Sequence, residues 1–132
     1  MILICGNGGL AAESNHFAAE LTGKYYKAIY IQCISLCANE AQLTALTNDI
    51  GWVDTYAHLV RVFGKEGDTF IGLTTSFADN IIQAYNIAQN MGLKTILYTR
   101  HNLRGKNVAE KQEDCIKKLH KLAIELKEKE LK

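Results

Sequence analysis

Two short stretches of the chain concentrate groups that could hold an anion. Gly6-Asn7-Gly8-Gly9 follows the apolar run Met1–Cys5 and precedes a helical pattern. Three glycines in four positions allow positive φ and close backbone approach, and a helix amino terminus behind them adds unpaired N–H groups and a favourable dipole. Thr74-Thr75-Ser76 follows a second apolar run, Thr69–Leu73, in the same position relative to a helix. Its three hydroxyls can donate to phosphate oxygens without a cation. Each stretch also has a plainer reading, as a tight strand-to-helix turn or as a helix cap. Neither has the spacing of a dinucleotide fingerprint or of a lysine-bearing phosphate loop. A phosphorylated small molecule is therefore the ligand class they favour, with Asn7, Gly8, Gly9, Thr74, Thr75 and Ser76 as its candidate binding residues.

The elements that must position these loops follow from the pattern of apolar residues. Strands are expected at Met1–Cys5, within Ile29–Leu36 with a start at Ile29 or near Gln32, at Thr69–Leu73 and at Lys94–Tyr98. Helices are expected from Leu10 to Leu21, from an Asn39 cap to Leu46 with Asn48-Asp49 as the next turn, over Gly51–Phe63 and over Asp79–Met91. A last, charged amphipathic helix runs from about Val108 onward. Alternation of strand and helix, with connections long enough for crossovers, argues for a parallel sheet covered on both faces. Such sheets bind ligands at the carboxyl ends of their strands, where both loops lie. There are no internal repeats and no proline-rich linker, so one domain is expected over 1–132.

Composition narrows the partners. With 132 residues, 22% of them charged and a net charge of +1, the chain has no electrostatic reason to bind nucleic acid or an anionic membrane. No apolar run approaches the roughly 20 residues of a membrane-spanning helix, and Met1–Cys5 is too short for a signal peptide, so a cytoplasmic location is expected. Cys5, Cys33, Cys37 and Cys115 read as buried free thiols. On a strand Cys33 and Cys37 would stand about 13 Å apart, too far to bridge or to share a metal.

Several blocks together resemble the phosphoheptose isomerases of the sugar-isomerase (SIS) superfamily: Cys5–Gly9, His16–Lys24, Leu43–Gly51 and Gly67–Ser76. The resemblance covers roughly residues 1–100. It implies an SIS-like, flavodoxin-like three-layer α/β sandwich of about four parallel strands, here without the usual amino-terminal helix. It implies isomerisation of sedoheptulose 7-phosphate to a manno-heptose 7-phosphate in a homo-oligomer, a dimer or tetramer with sites between subunits. The family carries a His and a Glu four residues later on its first helix, and a Gln and a His eight residues later on its last. His16 and Glu20, then Gln112 and His120, match those spacings. The resemblance makes these four the ligands of a divalent metal, typically zinc, and makes Glu20 and His120 the acid–base pair. Lys24 and Asp49 join the substrate-binding set on the same ground.

The chain also departs from the family. Leu10 stands where a serine is usual, Phe77-Ala78-Asp79 replaces a glycine, asparagine, serine loop, and Arg100–Asn107 is too short and polar to form the family's further strand. These departures favour an alternative, a non-catalytic SIS-type domain that binds a sugar phosphate or a protein.

Overall fold

The computed structural model describes residues 1–131. Strands β1 (Ile2–Cys5), β2 (Cys33–Ser35), β3 (Thr69–Leu73) and β4 (Lys94–Tyr98) form one parallel sheet in the order β2-β1-β3-β4. Helices α1 (Gly9–Thr22), α2 (Glu40–Ile50), α3 (Trp52–Phe63), α4 (Asp79–Asn90) and α5 (Val108–Glu130) complete the described elements. The α/β layered class expected from the pattern is what forms.

Period-two alternation divides the strands between two cores. Ile2 and Ile4 of β1, with Ile71 and Leu73 of β3, face α1 and α5, where Phe17, Leu21, Cys115, Leu119 and Ala123 are buried. Leu3 and Cys5, with Phe70, face α3 and α4 against Tyr56, Leu59, Val60, Ile81 and Ala84. Both faces of the sheet are thus covered, as parallel strands require. Burying Phe17 and Phe70, each fully removed from solvent, contributes roughly 2–3 kcal/mol apiece by area.

Strand order reverses direction between β1 and β3: β1 leads through α1 to β2 on one side, while β3 and β4 extend the sheet on the other. The crevice outside their carboxyl ends is the switch point at which doubly wound sheets take up ligands. The loops after β1 and β3, Gly6–Gly8 and Thr74–Ala78, border it.

Three expectations are corrected. The second strand is confined to Cys33–Ser35, and residues 24–32 carry no regular element. The second helix does not stop at Leu46; it runs through Asn48-Asp49 to Ile50, because the turn is made by Gly51 alone at φ +90°. Cys37 is only half-buried, although all four thiols are free.

Candidate active site

Helices α1 and α5 lie side by side and run the same way. Gln112 lies against Gly9, His120 against His16, and Lys127 reaches Gly23, a constant offset of about 103–104 residues. This register decides what the seam can do. His120 Nε2 stands 2.9 Å from Glu20 Oε1 and 3.3 Å from His16 Nε2, and His16 Nε2 also meets Glu20 Oε1 one turn along α1. All three donors come from one chain.

Glu20 is only 5% exposed, while the two imidazoles open toward solvent. The nitrogens approach the carboxylate at ion-pair distance without hydrogen-bond alignment, so neither Glu20 oxygen has a hydrogen-bond partner among the described residues. A buried carboxylate in that condition is costly unless a cation joins it. Two imidazole nitrogens and a carboxylate oxygen, all within 4.8 Å of one another, are a donor set that suits zinc. The residues fit the metal on this ground. Gln112 is placed two turns before His120, with its carboxamide packed against Gly9 at the amino end of α1; a Cβ on Gly9 would come within 2.7 Å of Gln112 Nε2.

The surroundings hold the histidine in place. The Tyr25 ring stacks on His120, with centroids 5.8 Å apart and 21° between planes. The Tyr25 segment is tied down by Lys127, fully buried, whose Nζ donates to the carbonyls of Gly23 and Tyr25 at 2.8 Å and of Lys27 at 3.3 Å. Burial pulls the Lys127 ammonium below the usual lysine pKa, and the Glu20 charge opposes that shift. One turn before His16 faces the seam, burial pushes the Glu13 carboxyl up, with the Cys115 thiol and His120 acting the other way. Burial, reinforced by Glu13, raises the Cys115 thiol.

At the crevice, Asn7 and Asn80 exchange two amide hydrogen bonds, 2.9 Å from Asn7 Nδ2 and 2.8 Å from Asn80 Nδ2. This clamps the glycine loop to the first turn of α4. It also engages the Asn7 carboxamide, so that residue supports the loop through its side chain. Gly8 turns the chain at φ +57°, which favours glycine. Thr74 is buried, and its Oγ1 accepts from the backbone N–H groups of Ser76 and Ala78, both at 3.2 Å. The loop's other hydroxyls are those of Thr75 and Ser76, and Ser76 Oγ shares a 3.4 Å hydrogen bond with Thr74 Oγ1. Leu10 is buried in the core and brings no donor.

Lys24 and Asp49 are exposed. Lys24 follows the 14-residue α1, about 20 Å along that helix from the glycine loop. Asp49 has Asn48 as its hydrogen-bond partner, at 3.3 Å. Sequence reasoning missed Lys127, Tyr25 and Asn80. Lys127 had a signal: it continues the four-residue stripe Cys115, Leu119, Ala123. Tyr25 and Asn80 had none that separates them from their neighbours.

No family model matches the chain. It is 43% identical over 97 residues to the phosphoheptose isomerase of Helicobacter pylori (strain P12), across 72% of this chain and 50% of that protein. It is 39% identical over 99 residues to the phosphoheptose isomerase of Pelodictyon phaeoclathratiforme, across 72% and 47%. The chain spans about half the length of these relatives. Among solved structures, the phosphoheptose isomerase GmhA from Neisseria gonorrhoeae superposes with a TM-score of 0.83 at 31% identity, covering 92% of this chain and 73% of that one. A phosphoheptose isomerase from Francisella tularensis gives 0.88 at 25% identity, covering 96% and 76%.

Proposed function

The chain belongs to the phosphoheptose isomerase family, and we propose that it is itself a sugar-phosphate aldose–ketose isomerase, converting sedoheptulose 7-phosphate to a manno-heptose 7-phosphate. The observation that carries this reading is the Glu20 carboxylate, buried without a hydrogen-bond partner and met at Oε1 by two imidazole nitrogens. An enediol isomerisation needs a base to take the proton beside the carbonyl and an acid to serve the oxygen or the neighbouring carbon. Glu20 takes that proton, and His120, 2.9 Å away, exchanges the second. Tyr25 and Lys127 keep the imidazole facing the carboxylate. The phosphate lies at the switch point, among the Gly8 and Gly9 backbone and the Thr75 and Ser76 hydroxyls. His16, Glu20 and His120, with Gln112 as the fourth residue of the set, would hold zinc, which when bound polarises the substrate oxygen and stabilises enediolate charge.

We place the reaction in the cytoplasm, in a single SIS domain; no helix among the described residues is long and apolar enough to cross a membrane. Self-association is part of the proposal. Helix α2 has no buried residue, and its Ile50 stands exposed together with Trp52 and Val53 of α3. Patches of this kind are rarely left open in stable monomers.

Turnover of sedoheptulose 7-phosphate by the purified chain, with and without added zinc, tests the reading. Zinc-dependent turnover that Glu20→Gln abolishes is the expected result. Binding without turnover in either condition favours the second reading, a non-catalytic sugar-phosphate-binding domain. What supports that second reading is the loss of donors at the crevice: Leu10 has none, and Thr74 is occupied within its own loop.

A further inference from the structure

The loops after β3 and β4 are joined, since Thr74 N–H donates to Tyr98 O at 2.9 Å. The second loop is firmly built. Asn102 Oδ1 accepts from Thr99 N–H at 2.7 Å, Asn102 Nδ2 donates to Leu97 O at 3.0 Å, and His101 N–H donates to Thr99 Oγ1 at 3.2 Å. Thr99 and Leu103 are buried beneath it. What this loop presents outward is Arg100 and His101, and both meet one ring. The Arg100 guanidinium lies 5.0 Å from the Phe77 centroid, and the His101 ring lies 5.0 Å from it at 55°. Phe77 is 40% exposed and adjoins Ser76 in the hydroxyl loop.

We propose that Arg100, poised on the Phe77 ring, binds the phosphate of the substrate at the Thr74–Ser76 loop. The proposal rests on the reading that this loop receives a phosphomonoester. Two of the loop's backbone N–H groups are already taken by Thr74 Oγ1, which leaves neutral hydroxyls as its side-chain donors. A phosphate dianion held only by neutral donors lacks a counter-charge, and Lys24 is too far along α1 to supply one. Arg100 has no carboxylate within ion-pair distance among the described residues; its contact is the ring. A cation over an exposed ring gains less than a bidentate guanidinium–phosphate pair. The ring therefore orders the side chain near the loop without competing with the ligand. Asp79, exposed in the first turn of α4, is the rival partner. An exposed Arg–Asp pair contributes little to stability, so phosphate wins that competition as well.

The test is calorimetric titration of the full chain with sedoheptulose 7-phosphate at low and high salt. The variants are Arg100→Gln, Arg100→Lys, Asp79→Asn and the double Thr75→Ala/Ser76→Ala. Arg100→Gln is expected to weaken binding about tenfold or more at low salt and to flatten the salt dependence, with unchanged thermal stability. Arg100→Lys should lose less, and Asp79→Asn should bind more tightly. If Arg100→Gln binds like the parent while the double variant is weakened, the loop reading stands and Arg100 is excluded. If the parent does not bind, or the double variant binds unchanged, the loop reading fails and takes this proposal with it. Equal losses of thermal stability in Arg100→Gln and Asp79→Asn, with affinity unmoved, would assign Arg100 to Asp79.

Discussion

Among the described residues, only one face of the sheet buries side-chain polar atoms without a hydrogen-bond partner. On the α3–α4 face each buried polar group has a partner: Tyr56 Oη donates to Gly6 O at 2.9 Å, Thr55 Oγ1 to Gly51 O at 2.9 Å, and Asn80 pairs with Asn7. On the α1–α5 face Glu13 Oε1 and both oxygens of Glu20 are buried with none. Satisfied groups stabilise a fold, whereas unsatisfied ones persist where function requires them. The α3–α4 face is thus built for stability, and the α1–α5 face, where the proposed chemistry lies, leaves buried oxygens unsatisfied at some cost in stability.

Substitution at Glu20 should separate the two faces most sharply. Glu20→Gln is expected to lower turnover by at least about a thousandfold, measured as initial rates, while urea unfolding of the metal-free protein shows no loss of stability. An unfolding midpoint that drops with turnover would break the comparison, because Glu20 would then be a stabilising residue. Lys127→Met comes next. It leaves three carbonyls without their donor and should cost about 2 kcal/mol in the same unfolding experiment. It should also weaken cobalt or zinc binding, since the Tyr25 segment stacked on His120 is released.

Tyr56→Phe, on the opposite face, should cost about 1 kcal/mol and leave metal affinity unchanged. A change in affinity would mean that the faces communicate through Gly6. The smallest effect expected is alkaline. Burial holds the Cys33 thiol up at about 12 and raises Cys5 as well. A group whose folded pKa lies above its unfolded value stabilises fully below the unfolded value, and that contribution is lost as pH rises through the folded one. Stability should therefore be flat to about pH 8, fall by roughly 0.4 kcal/mol per buried thiol at pH 8.5, and fall more steeply above. In native protein, a thiol reagent should react with half-buried Cys37 before Cys5 or Cys33.

Much of the architecture was legible because it is local. Apolar runs, glycine stops and the Asn39 cap mark elements without reference to distant residues. The errors came where local signals conflict. Asn48-Asp49 carries turn residues, yet the helix passes through them because nothing stops it before Gly51. Ile29–Ile31 is β-branched and aromatic, yet the only partner strand available to that edge is β1, whose pairing begins at Ile2 with Cys33.

The amino-acid order by itself determined the alternation of strands and helices, the two loops that follow β1 and β3, and the presence of His16 and Glu20 on one helix face. Spacing alone could not say that His120 would come within 2.9 Å of Glu20 in the same chain, nor that Gln112 would rest against Gly9. Those follow from the parallel register of α1 and α5, which their apolar stripes permit at more than one offset. The register was decided by how Phe17, Leu21, Leu119 and Ala123 interlock over the sheet, and by Lys127 finding three carbonyls beyond the end of α1. Periodicity fixes which face of a helix is buried; only long-range packing fixes what it meets there.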